Sequence, residues 1–246
     1  MANVSHDGKI ALLEKIKRQN EELLWANVFH DEIIGSEWLK NLSFHPGRMA
    51  VGYNFLYVMY RVLSTLKPKS ILELGLGEST RMITQYAKYF GVEHIVIEHD
   101  AEWINAFCES YPPSSTTEIK QHIIYARSFK EETQECIYAY DGIKKTLENR
   151  QFQLIVVDGP YGWSAIPNKS ADKYARIDIL EMLYDCLKAP FCIMVDDAHR
   201  KGETGMINEM RQMLTDKQIQ HSFGVYSGEK DVAILTSVEY KFLASM

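Results

Sequence analysis

Apolar positions follow two rhythms along this chain, and the change between them near residue 67 divides it. Before that point they recur at helical spacing. Ile10, Leu13, Ile16, Leu23 and Leu24 fall on one face of a first helix. A second helix is expected over Glu32 to Leu39. The run Ser43-Phe44-His45-Pro46-Gly47 then breaks the pattern, and a third helix is expected from about residue 48 to Leu66, stopped by Pro68. Residues 1–66 thus read as an N-terminal helical extension, either a lid or a dimer contact that would make the protein a homo-oligomer.

From Lys69 onward, short apolar runs alternate with amphipathic segments. Strands are expected at 70–74, 93–98, 119–125, 152–157 and 191–195. Helices are expected up to Phe90, up to about Tyr111, and over 131–147, 173–187 and 204–214. Two last runs, 220–226 and 231–236, flank Ser227-Gly228-Glu229-Lys230, a hairpin signal. Strand–helix alternation implies a parallel sheet with helices on both faces, and the hairpin adds an antiparallel edge. The α/β domain would cover 67–246.

Composition narrows the picture modestly. A length of 246 residues suits one large α/β domain, or a domain with an extension. A net charge of −6 argues against a phosphate backbone as partner, so no nucleic acid is expected. Of the four cysteines, Cys108, Cys186 and Cys192 sit in apolar patterns and read as free thiols, which points to a cytoplasmic setting. The first residues are polar, unlike a signal peptide. The most apolar stretch, 53–63, is too short for a membrane span and contains Arg61.

The most informative stretch is Ile71-Leu-Glu-Leu-Gly-Leu-Gly-Glu-Ser-Thr-Arg81. An apolar strand ends in a glycine turn, and a helix follows with Ser79 or Thr80 near its start. Free N–H groups and bare backbone there suit a ligand. Gly75 and Gly77 fit the dinucleotide fingerprint, but Thr80 stands at the third glycine. Glu73 precedes the glycines, where a carboxylate would repel a pyrophosphate and attract an ammonium. S-adenosylmethionine (SAM) carries an ammonium and no phosphate.

Glu73-Leu74-Gly75-Leu76-Gly77, followed by Glu98 at the end of the next strand, resembles the class I SAM-dependent methyltransferases. The resemblance implies a seven-stranded, Rossmann-like α/β sheet with an antiparallel terminal hairpin. It places the methionine end of SAM at Glu73, Gly75, Gly77, Ser79 and Thr80, the ribose at Glu98, and the adenine near Ser128, after strand three.

Ligands of open α/β sheets sit beyond the carboxyl ends of the strands. There, strand four runs into Asp158-Gly159-Pro160-Tyr161-Gly162-Trp163, and strand five into Asp196-Asp197-Ala198-His199-Arg200. Adjacent carboxylates repel and call for a cation. Asp158, Asp196 and Asp197 would suit Mg²⁺ or another divalent metal, or Asp196-Asp197 would cap a helix and pair with Arg200. The pattern resembles divalent-metal O-methyltransferases acting on catechols and macrolide sugars. Its Asp-Gly-Pro-x-Gly turn resembles the glucuronoxylan O-methyltransferases. Both imply O-methylation of a polyhydroxylated acceptor, most simply a small or polymeric saccharide, and they differ over the metal. Asp158 or His199 would take the hydroxyl proton. Tyr161, Trp163, Arg176 and Arg200 would meet the acceptor, and the loop 164–172 would fold over it. Two other readings stay open: an aminopropyltransferase of the spermidine synthase type, and a non-catalytic interaction domain on this fold.

Overall fold

The computed structural model describes residues 6–47, 49–130, 135–167, 169 and 171–246. Its apolar runs become β1 (Ser70–Leu74), β2 (Glu93–Glu98), β3 (Thr117–Gln121), β4 (Ile124–Arg127), β5 (Ile137–Tyr140), β6 (Phe152–Val157), β7 (Leu187–Val195), β8 (His221–Tyr226) and β9 (Val232–Ser237). Seven of them form one sheet in the order β3-β2-β1-β6-β7-β9-β8. The first five are parallel, and β9 runs antiparallel to both β7 and β8. This is the Rossmann-like α/β sheet with a reversed terminal hairpin that the alternation predicts. The helices are α1 (His6–Ile33), α2 (Tyr53–Leu66), α3 (Glu78–Phe90), α4 (Ala101–Ser110), α5 (Ile143–Thr146), α6 (Asp178–Cys186) and α7 (Lys201–Asp216).

Both faces of the sheet are covered, which is why its strands are apolar nearly throughout. On one face Leu72, Leu74, Ile155, Val157, Ile193 and Val195 pack with Leu180 and Leu183 of α6 and Met206 and Met210 of α7. On the other, Ile71, Leu154, Val156, Met194 and Ile234 pack with Phe55, Met59 and Val62 of α2 and Met82 and Tyr86 of α3. Each such side chain contributes roughly 1.5–3 kcal/mol by leaving water. Through α2, the N-terminal extension therefore belongs to the apolar layer of the sheet.

Several expected elements differ; the helix expected over 173–187, for one, begins only at Asp178. α1 ends at Ile33, and the chain passes Gly35 into an irregular segment, so the separate helix expected over 32–39 does not form. Trp38 of that segment stacks on Tyr60 and meets Tyr86 edge-on. The helix expected from residue 48 begins at Tyr53. The expected strand 119–125 divides. β3 leaves the sheet at Gln121, opposite the last residue of β2, and beyond it β4 pairs with β5 in a separate antiparallel ribbon. β5 and the one-turn α5 replace most of the helix expected over 131–147, since Asp141-Gly142 breaks the segment with φ +68° at Gly142; residues 131–134 of that range lie outside the described residues. Finally, Ile10, Leu13, Ile16, Leu23 and Leu24 share a face, but it is exposed, and α1 docks instead through Phe29 and Ile33. Among the described residues, no helix is long and apolar enough to cross a membrane.

The ribbon is tied to α6 by Asp178, whose buried carboxylate accepts from Tyr140 N. Burial, which outweighs that hydrogen bond and the nearby Arg127, pushes its pKa up to about 7. The folded chain thus holds a proton that the unfolded chain releases near pH 4, so this group lowers stability progressively as pH rises from about 4 to about 7. Asp178→Asn is expected to raise the melting temperature by several degrees at pH 8, with the gain vanishing by pH 4. Thermal melts across that range check it.

Candidate active site

The chain moves outward from β1 to β2 and β3, then returns to place β6 on the other side of β1. A crevice opens at such a switch point, beyond the carboxyl ends of the strands. Two glycine turns shape it. Gly75 has φ +101°, and a Cβ there would lie 3.0 Å from Gly159 N. A Cβ on Gly159 would overlap Tyr140 Oη and lie 3.0 Å from Gly75 Cα. The loops after β1 and β6 therefore touch through bare backbone. A Cβ on Gly77 would meet nothing within 4 Å, so its backbone borders open space. That space is a cavity of about 520 Å³ with Gly75, Gly77, Glu98, Asp158, Tyr161 and Lys230 in its wall.

Glu98 ends β2 with its carboxylate at the cavity. Oε1 accepts from His99 N at 2.6 Å and Asp100 N at 3.0 Å, and Oε2 accepts from Leu76 N at 2.9 Å. Burial opposes its ionisation, but the His99 ring and these amides outweigh it and hold Glu98 below the usual carboxylate range. Oε2, with one protein donor, keeps acceptor capacity for a ligand. Asp100 caps α4 by accepting from Glu102 N and Trp103 N, which brings Trp103 to the crevice, and its indole N–H donates to Leu76 O at 2.7 Å.

Glu73 lies elsewhere. It is fully buried, accepts from Ser79 Oγ and sits 3.1 Å from His94 Nε2. Thr80 Oγ1 accepts from Gly77 N. The Glu73, Ser79 and Thr80 side chains thus brace the glycine turn from behind and are absent from the cavity wall. Ser128, exposed after β4, is also outside it, because β4 belongs to the ribbon and not to the sheet. His199 is exposed, accepts from Asp231 N and is not in the wall either.

Asp158, Asp196 and Asp197 do converge, with an oxygen from each within 4.8 Å of the others. Cations already stand among them. Arg176 Nη2 lies 3.2 Å from Asp158 Oδ1 and 3.0 Å from Asp197 Oδ2, and Nε lies 3.6 Å from Glu203 Oε1. Arg200 Nη1 is 2.8 Å from Asp197 Oδ2. Lys230 Nζ is 3.1 Å from Asp196 Oδ2 and 3.8 Å from Asp197 Oδ1. Arg176 and Asp197 both adopt left-handed backbone, φ 51° and 59°, a conformation held only where surroundings over-determine it. A divalent ion would have to displace cations fixed in this way, so the donor set fits Mg²⁺ poorly.

Asp158 side chain is 24% exposed, against 0% for Asp196 and 3% for Asp197, so it is the aspartate that most faces the cavity. Burial, reinforced by the charge of Asp196 and opposed by Arg176 and Lys230, raises its pKa. Burial likewise pushes Glu203 up to about 6. The four carboxylates Asp158, Asp196, Asp197 and Glu203 face three cations, and the charges balance when Asp158 holds its proton. Trp103, Glu203 and Lys230 join the site without having been singled out in the sequence. At the mouth, Tyr161 and Trp163 stack with centroids 4.6 Å apart and remain 36% and 44% exposed.

Comparison with known proteins adds fold-level context. No protein-family model matches the chain, and no curated protein matches it. Among solved structures it is similar to the S-adenosylhomocysteine-bound Podospora anserina methyltransferase PaMTH1, at 13% identity and TM-score 0.48 over 96% of this chain and 97% of that one. It is similar to a protein from Staphylococcus aureus described as a caffeoyl-CoA O-methyltransferase, at 13% identity and TM-score 0.47 over 93% and 97%. A spermidine synthase in complex with a transition-state analogue gives 13% identity and TM-score 0.40 over 73% and 60%. The functional reading therefore rests on the site itself.

The contact between Gly75 and Gly159 is testable. Gly159→Ala is expected to destabilise the fold by about 1–3 kcal/mol, the usual scale for forcing atoms into a packed site. Adding Tyr140→Phe, which removes the obstructing hydroxyl, is expected to recover part of it. Urea denaturation of the single and double variants measures both.

Proposed function

We propose that this chain is a SAM-dependent methyltransferase that methylates a hydroxyl of a polyhydroxylated acceptor, most simply a saccharide. The observation that carries the reading is Glu98. It is a buried, ionised carboxylate at the end of β2, pinned by three backbone amides, with acceptor capacity left beside an open glycine turn. That is the chemistry a ribose diol requires, and Glu73 close behind the turn disfavours a pyrophosphate. Bound SAM would supply an electrophilic methyl group on a positively charged sulfur. Glu98 would hold the ribose, the Gly75–Gly77 backbone would leave room for the rest, and Trp103 would offer an aromatic face. The side chains of Glu73, Ser79 and Thr80 support this site by shaping the turn.

Asp158 is the best-placed proton acceptor. It faces the cavity, and its raised pKa brings it nearer to working pH, where a general base is most effective. His199 is directed to the hairpin instead. The stacked Tyr161–Trp163 pair offers a flat apolar surface for a sugar ring.

Calorimetric titration with SAM tests the reading. Wild type is expected to bind at micromolar levels, and Glu98→Gln at least tenfold more weakly. Absence of binding by the wild type sinks the proposal. Once an acceptor is found, Asp158→Asn is expected to lower kcat by about 10²–10⁴ with SAM affinity unchanged. A base works only after losing its proton, so wild-type kcat/KM is expected to rise with pH along a limb above the ordinary carboxylate range, and Asp158→Asn to lose that limb.

A further inference from the structure

The turn between β8 and β9 reads in sequence as a solvated hairpin end. In the structure it is bonded by side chains of both α1 and α2. Arg18 Nη1 of α1 donates to Gly228 O at 3.0 Å and to Asp231 Oδ1 at 2.9 Å. Trp25 Nε1 donates to Ser227 O at 2.7 Å. Glu229 N donates to Glu22 Oε2 at 3.2 Å. Asn54 Nδ2, fully buried in α2, donates to Tyr226 O at 2.9 Å and Lys230 O at 2.7 Å. The N-terminal helices thus clasp this turn from both sides.

The clasp delivers Lys230 to the site. Its side chain is only 12% exposed, and Nζ sits 3.1 Å from Asp196 Oδ2, 3.8 Å from Asp197 Oδ1 and 2.8 Å from Ala50 O. An ammonium has three donors. Ala50 and Asp196 take two, and the third remains for Asp197 or for a ligand in the cavity, whose wall Lys230 helps form. Asp196 Oδ1 and Asp197 Oδ1 are buried without a hydrogen-bond partner, so the aspartates are neutralised by charge and not by a full ligand shell. Three converging aspartates are the donors a divalent ion would use, and Lys230 stands on two of them.

We infer that Lys230 is a resident cation of this site, a covalently tethered substitute on Asp196 and Asp197 for a divalent metal, and that the N-terminal helices act as a clasp that keeps it there. Its role towards an acceptor rests on the methyltransferase reading; its exclusion of metal does not. In the reaction, Lys230 would donate a hydrogen bond to the acceptor oxygen and keep its own protons. The hydroxyl proton would pass to Asp158. The oxygen would form its new bond to the methyl carbon, and the electrons of the broken carbon–sulfur bond would stay on sulfur. Lys230 is then a catalytic residue, and Arg18 and Asn54 are positioning residues.

Mn²⁺ titration, followed by calorimetry and by the loss of the free-ion paramagnetic resonance signal, tests the inference without SAM or acceptor. Wild type is expected to show no binding below millimolar Mn²⁺. Lys230→Ala is expected to gain a site at least tenfold tighter, which Lys230→Ala/Asp196→Asn loses. Arg18→Ala, which frees the turn and unpairs only Asp231, a carboxylate outside the cavity wall, is expected to gain weaker binding. Stoichiometric sub-millimolar binding to wild type overturns the proposal, and this arm needs no variant to fold. A folded Lys230→Ala with no gain also overturns it, and an Arg18→Ala variant indistinguishable from wild type overturns the clasp. In turnover, Lys230→Met is expected to lower kcat at least tenfold with SAM affinity intact, and EDTA to leave wild-type rates unchanged; EDTA inhibition reversed by Mn²⁺ overturns the proposal. Failure of wild type to bind SAM removes the methyltransferase reading while the Mn²⁺ results still decide whether Lys230 displaces a metal.

Discussion

The carboxyl edge of this sheet depends on one buried guanidinium. β6 and β7 end side by side, and between them they release three aspartates into the same small volume. Burying several carboxylates together is costly unless cations compensate them. Arg176 does most of this. It reaches Asp158 and Asp197 with one nitrogen and Glu203 with another, and a third donates to the carbonyl of Asp196 at 3.1 Å. The fork of an arginine can bind several partners at fixed angles, as a lysine cannot. Charge pushes Arg176 further toward its protonated form even against burial, so it is a constant of the site. Asp158, with a raised pKa and a view of the cavity, is the titrating carboxylate of this cluster that a ligand can reach.

The second constraint is steric. The loops after β1 and β6 approach through Gly75 and Gly159 so closely that neither tolerates a Cβ without movement. This contact brings the Glu98 side of the crevice to within one cavity of the Asp158 side. The carboxylates ending β2 and β6 thereby border the same space.

These two constraints account for what the sequence disclosed. Glycines with a preceding acid, an acid ending the next strand, and aspartates after strands four and five all mark strand ends, where local pattern and site position coincide. Glu98, Asp158 and Asp197 were legible as residues bordering the crevice for that reason. Glu73 was legible as a motif residue but not in its role, because whether a carboxylate faces the ligand or the core is decided by His94 and Ser79 around it. Ser128 was misplaced because β3 runs out of partners at Gln121 and the chain leaves the sheet. Ile137-Tyr-Ala-Tyr140 looked helical in its neighbourhood, and only pairing with β4 makes it a strand. The exposed stripe of α1 shows the converse: helical spacing was real, but spacing does not say which face finds a partner.

Lys230 was invisible for a deeper reason. A lysine in a hairpin turn is ordinarily solvated, and nothing adjacent in sequence marks it otherwise. Its place is set by residues about 180 to 210 positions earlier: Ala50, Asn54 and Arg18. That distance also gives the N-terminal segment a reason to exist that is neither lid nor dimer contact. A metal ion binds through the ligands alone, whereas a tethered ammonium must be aimed, and aiming needs an external frame. The charge that would otherwise be recruited from solution is here held by the fold, through Arg18, Glu22 and Trp25 of α1 and Asn54 of α2.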